Sequence, residues 1–467
     1  MSIYRGLARH VLAPGMDLVR GTQTMRNFSA LESSQWWPRE RLEHLQSERL
    51  QRLIRHAHEK VPYYGRLMRA EGVTPADIAS VNDLIHLPVL TKRVIRQHST
   101  ELIACGFPKK GLRPMTTSGS TGEPLVFYST AEDQFSRGIA RTLRALQWAG
   151  LDIGDRHVVL ARPRRYARAH EQMLHNASLR VKRVMEIDTS DLSDAHLRGI
   201  VARIGKLGRV GLMSSPPVLA LLATWLRRTG ADIPTLRCIV SGGEQLLDHE
   251  RESLAEVFGL QPFSKYGAFE AYDIASECAA HAGLHIQTED IIVEIVDDDG
   301  RPVPPGCTGH IVITNLHNYA MPFIRYAIGD VGAIATAKCD CGRELPRLVG
   351  MLGRMSELIV TPSGRRVFGA DLGLESLGPL GVREFKIVQH DTAETSAFLV
   401  WHDDIPAESR AAGEARIRGT LEQAIGEGVR VRVQSVEHIE PTRAGKHCVV
   451  VSEVAPRSIE DDGPRLR

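Results

Sequence analysis

The chain has 467 residues and a mass of 51.6 kDa, about three times the ~150 residues of a typical domain, so two or three folding units are expected. With 43% apolar and 24% charged residues, its composition is globular and excludes disorder, collagen-like repeats and a disulfide-stapled miniprotein. The 58 basic and 56 acidic residues leave a formal charge of +2, which excludes electrostatic binding of nucleic acid or anionic membrane as the main function and points to small-molecule partners.

In chain order, the first 30 residues carry four arginines against one acid, Asp17, and lack the unbroken apolar centre and small-residue cleavage site of a secretory signal. A cytoplasmic location is expected, with this segment as a docked helix or a loose arm. Leu42, Leu45, Leu50, Leu53, Ile54 and Ala57 fall at helical spacing and end before Val61-Pro62, predicting a helix over 41–60. Strand-like runs then alternate with helices: 157–160, 210–213 leading through Pro216-Pro217 into a helix, and 238–240 leading through Gly242-Gly243 into another. The longest apolar run, Val218 to Leu226, is far short of the roughly 18 residues that a membrane span needs.

Runs 291–296 and 310–314 flank the turn signal Asp298-Asp299-Gly300 and predict antiparallel strands. The last part of the chain has its own strand pair at 384–388 and 397–401, a helix over 408–425, and strands near 429–436 and 449–454. Such alternation followed by a separate set predicts a large α/β domain over 1–352 and a small, mobile α+β domain over 353–467.

Thr116-Thr117-Ser118-Gly119-Ser120-Thr121-Gly122-Glu123-Pro124 gathers hydroxyls and glycines ahead of the apolar run 125–128. Glycine lets backbone N–H groups approach an anion and the hydroxyls donate to it, so the segment reads as a phosphate loop; the order G-x-x-x-x-G-K-[ST] of a Walker loop is absent.

With this loop the chain resembles the adenylate-forming ligases, in the branch of phenylacetate-CoA ligases and CapK-like proteins. The resemblance also rests, in order, on Ser241-Gly242-Gly243-Glu244, Tyr266-Gly267-Ala268-Phe269-Glu270, the run from Met321 to Asp330, Gly353-Arg354 and Gly445-Lys446. Val61-Pro62-Tyr63-Tyr64 and the run from Leu87 to Lys92 extend it towards the N-terminus. It implies a multi-layer α/β domain with a β-barrel-like subdomain, followed by the small α+β domain. The implied chemistry is attack of a carboxylate on the α-phosphate of ATP, giving an acyl-adenylate and pyrophosphate, then transfer to an amine, a carrier protein or CoA.

By the same resemblance, Ser118, Gly119, Ser120, Thr121 and Gly122 hold the leaving phosphates. Gly243, Glu244 and Tyr266 line the adenine slot, Gly267 belongs to the ATP-binding set, Asp330 accepts from the ribose hydroxyls, and Arg354 contacts ribose or phosphate. Glu270 binds Mg²⁺, a hard cation suited to a carboxylate, and Lys446 bridges the substrate carboxylate and the α-phosphate. Glu357 takes the place of a hinge aspartate, and Phe135, Ser214 and Pro216 line the acid pocket. The run from Thr361 to Phe368 departs from the Arg-Gly-Val-Asn-type segment of phenylacetate-CoA ligases, which favours an amine or carrier-protein acceptor over CoA. A homodimer is compatible with the resemblance, and a non-catalytic nucleotide-binding protein is the alternative from another class.

Seven cysteines, an odd number, argue for a reducing compartment. Cys105, Cys238, Cys307 and Cys448 read as buried small hydrophobes. Cys339-Asp340-Cys341-Gly342 reads instead as a metal knuckle, with Cys278 and either His285 or His281 completing a tetrahedral structural zinc site.

Overall fold

In a computed structural model, the described residues are 3–107, 112–116, 125–130, 132–163, 169–234, 236–354, 358–363, 365–368, 372, 380–402, 405–426, 428–439 and 450–454. The phosphate-loop residues 118–122, Glu357, Cys448 and Lys446 lie outside them, and Phe135 and Arg354 are described by backbone only.

The predicted N-terminal helix spans Arg39–Lys60 and buries Leu42, Leu50, Leu53, Ile54 and Ala57, the apolar stripe read from the spacing. Pro62 opens the next helix, Pro62–Glu71, at the position where a missing N–H costs nothing, and Gly72 closes it at φ +68°. Residues 3–20 are docked helix: Ala8 is fully buried, and the Tyr4 hydroxyl donates to the Val181 carbonyl at 3.1 Å.

Strands β1 (Arg113–Thr116) and β2 (Val126–Ser129) pair antiparallel, with Thr116 opposite Val126, so residues 117–124 connect the two arms of a hairpin. One large sheet follows, built from β3 (His157–Ala161), β4 (Val184–Asp188), β5 (Gly211–Ser214), β6 (Cys238–Gly242), β7 (Phe263–Ala268), β8 (Tyr272–Glu277), β9 (Leu284–Ile286), β10 (Ile291–Val296), β11 (Gly309–Asn315), β12 (Tyr326–Ile334) and β13 (Arg347–Arg354). Its order is β10-β11-β12-β13-β9-β8-β7-β6-β5-β3-β4. From β4 to β7 neighbours are parallel, joined by helices such as Pro216–Thr229 and Asp248–Phe258. From β7 to β10 they are antiparallel. The antiparallel part thus continues the parallel part edge to edge, and β13 carries the large sheet through Arg354.

The smaller C-terminal α+β region comprises the hairpin β14 (Leu358–Val360) and β15 (Arg366–Phe368), then β16 (Val382–Asp391), β17 (Glu394–Trp401), β18 (Arg430–Ser435) and β19 (Val450–Ser452) in the order β18-β17-β16-β19. Helix Ala407–Ile425 packs Ile417, Leu421 and Ile425 against Ile387, Leu399 and Trp401 in a core of its own. Among the described residues no helix is long and apolar enough to cross a membrane.

Candidate active site and cysteine–histidine cluster

In a parallel sheet, residues just beyond the carboxyl ends of the strands face a common crevice, and the crevice is best formed where the strand pattern changes. Here β5, β6 and β7 end side by side, with Ser214 opposite Ser241 and Gly242 opposite Lys265, and β8 reverses direction next to β7. Gly243, at φ +92°, and the exposed Glu244 leave the end of β6. Gln245 donates through Nε2 to the Met351 carbonyl on β13, tying this turn to the strand that ends at Arg354.

Tyr266 and Gly267 sit at a β-bulge, where the extra residue re-aims the strand. A Cβ on Gly267 would lie 2.3 Å from the Tyr272 carbonyl oxygen, so the close approach of β7 and β8 requires glycine there. The Tyr266 hydroxyl donates to Asp330 Oδ2 at 2.6 Å, bringing together two sites that are 64 residues apart. Asp330 is paired across the ladder with Arg354. The predicted adenine and ribose positions therefore converge.

Glu270 lies in the turn between β7 and β8, not in a helix, and is buried at 7% exposure. Its Oε1 accepts from the Tyr326 hydroxyl at 2.9 Å, and its other carboxylate oxygen holds no hydrogen bond among the described residues. Phe269 beside it stands 59% exposed. The β1–β2 hairpin docks onto the segment before β12: Phe127 meets Phe323 at a ring distance of 5.7 Å, and Asn318 donates to the Tyr128 carbonyl. Thus the arms of the expected phosphate loop pack on the stretch that leads into Tyr326.

Tyr326 and Gln245 escaped the sequence reading. Tyr326 lies inside the matched run from Met321 to Asp330, but a tyrosine at a strand start reads as core, and only the fold shows its hydroxyl on Glu270. The acid-pocket candidates divide. Ser214 is buried and its hydroxyl is committed to the Leu160 carbonyl at 2.8 Å, Pro216 is buried at the first turn of its helix, and the Phe135 backbone lies in the π-helical stretch Glu132–Gly138. Arg325 is buried at φ +52° and donates to Glu294, the Leu87 carbonyl and the Gly300 carbonyl.

The second cluster joins β8, β9 and the segment before β13. One ligand atom each from Cys278, His285, Cys339 and Cys341 lies within 4.8 Å of the others. Cys278 Sγ and Cys339 Sγ are 3.7 Å apart, and Cys341 Sγ lies 3.3 Å from His285 Nε2. His285 Nδ1 faces the Leu345 carbonyl at 3.2 Å, the outer hydrogen bond that fixes a ligating imidazole. Burial pushes His285 down to about 4, so the ring is neutral, the form that ligates metal. His281 is excluded from the cluster: its Nδ1 faces Glu277 and its ring lies on Phe263. The expectation for the remaining cysteines needs a correction, since among the described ones Cys238 is buried while Cys105 and Cys307 are exposed. Both follow local turns outside the strands, where no apolar layer covers them.

No family model matches the chain. Among solved structures, a 2-hydroxyisobutyryl-CoA ligase in the postadenylation state in complex with R3-HIB-AMP superposes with a TM-score of 0.72 at 19% identity, covering 90% of this chain and 91% of that one. The fold is therefore that of an adenylate-forming ligase. A phenylacetate-coenzyme A ligase from Thermus thermophilus is 30% identical over 342 residues, 69% of this chain and 72% of the relative. Protein CapK from Staphylococcus aureus is 20% identical over 88% of this chain and 89% of its own length. The chain belongs to the phenylacetate-CoA ligase and CapK-like branch of the adenylate-forming family. It is an enzyme that activates a carboxylic acid with ATP, as an acyl-adenylate, before transferring the acyl group to a nucleophile.

Proposed function

We propose that adenylation takes place at the carboxyl ends of β5, β6 and β7, and that the acceptor is CoA. The observation that carries the site is the Tyr266–Asp330 hydrogen bond, with Glu270 and Tyr326 beside it and Arg354 opposite Asp330. Tyr266 offers a ring face to adenine while its hydroxyl orients Asp330, whose carboxylate accepts from a ribose diol. Glu270 suits Mg²⁺: it is a buried carboxylate with one oxygen held by a phenol and the other uncommitted among the described residues. When bound, the magnesium ion offsets charge on the phosphates, and Tyr326 keeps the Glu270 carboxylate turned towards it. Residues 118–122 hold the leaving phosphates, Lys446 reaches the α-phosphate, and Glu357 marks the hinge for the residues beyond 352.

The acceptor reading is supported by the names of the phenylacetate-coenzyme A ligase and the 2-hydroxyisobutyryl-CoA ligase that the chain resembles. The departure at 361–368 has a local cause. Thr361 N–H donates to the Arg365 carbonyl in the β14–β15 turn, and the Arg365 guanidinium caps the Ala424 and Ile425 carbonyls at the end of helix Ala407–Ile425. This segment serves the small region's own packing, so its difference from the relatives no longer weighs against CoA. The test is AMP release with ATP, Mg²⁺ and a panel of aryl, fatty and amino acids. Release that rises on adding CoA is expected; release that rises only with an amine or a holo carrier protein would overturn the CoA reading.

The cluster of Cys278, His285, Cys339 and Cys341 is read as a structural zinc site. Three thiols and an imidazole make a closed tetrahedral set with no open position for chemistry. Trp37, Leu42 and Trp148 pack around it, so the ion would clamp the N-terminal helices onto β8 and β9. Elemental analysis of carefully purified protein is expected to give one equivalent of zinc per chain; well under one equivalent would end this reading.

A further inference from the structure

The edge of the large sheet opposite the proposed active site gathers arginine. Strands β4, β3, β5 and β6 lie side by side in that order, and an arginine stands within two residues of the entry to each: Arg183, Arg156, Arg209 and Arg237. Neighbouring strands are ~4.8 Å apart, so four adjacent entries set these residues along an arc of about 15 Å. With Arg5 from the first helix they line one cleft of about 390 Å³, completed by Gly154 and Asp155. The helix forms its wall, since a Cβ on Gly154 would lie 3.0 Å from the Ala8 side chain.

Five arginines face one acid. Asp155 is already shared, bonded to Arg5 and, at 3.1 Å, to Arg237. Arg156 reaches only the Leu207 carbonyl, Arg183 lies 3.6 Å over the Tyr4 ring, and Arg209 is exposed with no hydrogen bond or ion pair among the described residues. Arg183 also sits at φ +54° just after helix Ala169–Lys182, a left-handed position that favours glycine, so the charge is kept there against the backbone preference. A surplus of four guanidinium charges in one concavity is unfavourable unless an anion offsets it, and their planar forks match phosphate oxygens.

We propose that this cleft binds phosphate groups carrying more than one negative charge, whether on a soluble oligophosphate or on a lipid headgroup, as a site separate from the catalytic one. The double variant Arg183→Gly/Arg209→Glu tests it: glycine relieves the left-handed position and Arg209 has no partner to lose among the described residues, so folding is expected to be retained. Equilibrium dialysis with labelled pyrophosphate should find two sites per chain in the unaltered protein. The variant should keep one at unchanged affinity and hold the other about tenfold or more weaker. A headgroup source would appear as flotation with phosphatidylglycerol vesicles that the variant loses. Adenylation should stay within about twofold in the variant, because none of these arginines touches the catalytic crevice. Equal pyrophosphate stoichiometry and affinity in both proteins, together with equal flotation, would overturn the proposal; the binding readouts are independent of whether the chain adenylates any acid.

Discussion

Asp290→Asn is expected to lower the free energy of unfolding by about 3–5 kcal/mol, the range for breaking a buried ion pair from one side. Asp290 Oδ1 holds Arg49 at 2.9 Å, Arg137 at 3.0 Å and His317 at 2.8 Å, while Oδ2 holds Arg141 at 3.2 Å. Arg141 is fully buried, so losing the carboxylate leaves a guanidinium charge inside the protein. Next to it, Arg144 is paired with Glu289 and Gln287, and Ser34 donates to Glu289. The segment 287–290 is thus the point at which the N-terminal helices, the helix Ile139–Trp148 and the antiparallel strands are locked together. Burial opposes ionisation of Asp290, but His317, Arg137 and Arg141 outweigh it and hold the carboxyl well below the usual carboxylate range. A depressed folded value contributes stability that is present above the unfolded value of ~3.9 and is lost as pH falls through the folded one. The unaltered chain should therefore resist mild acid, and the asparagine variant should show a lower urea midpoint at neutral pH with a shallower loss on acidification. An unchanged midpoint would show that the network contributes nothing net.

Lys446→Ala is expected to reduce ATP–pyrophosphate exchange by roughly 10²- to 10³-fold, the cost of removing one donor to a developing transition-state charge. The chain uses arginine for most of its cations, with ten lysines among 58 basic residues, and a compact ammonium in a glycine-containing segment suits a point contact with a phosphate oxygen. In the sequence Lys446 stands between β18, whose described residues pair with β17, and β19, whose described residues pair with β16. The variant is expected to keep the wild-type melting profile while losing exchange. Exchange at the wild-type rate would remove Lys446 from the chemistry.

Much of the fold was legible because it follows from short-range pattern. The stripe from Leu42 to Ala57 has helical spacing and is buried as such, and the two runs flanking Asp298-Asp299-Gly300 pair antiparallel from Ile291–Asn315 to Val296–His310. The candidate site was legible only in part. Tyr266, Glu270 and Asp330 stand in recognisable motifs, yet their meeting depends on a β-bulge and on β7 and β12 of one sheet, which are separated in its order by β8, β9 and β13, and neither leaves a local mark. The choice between His281 and His285 was open because both stand near Cys278; β9 decides it by turning His285 inward at zero exposure. The Asp290 network and the arginine cleft were invisible, since Arg49, Arg137, Arg141, Asp290 and His317 are scattered over the chain and read individually as solvated charges. Long-range charge pairing has no period, so only the assembled sheet reveals it.

The most direct measurement of the central claim is ATP–pyrophosphate exchange by the unaltered protein with Mg²⁺ across a panel of small carboxylic acids. Exchange that depends on one acid class is predicted, and its abolition in Glu270→Ala with ATP still bound would place that carboxylate at the phosphates. A protein that binds ATP but exchanges no label with any acid in a broad panel would contradict the account.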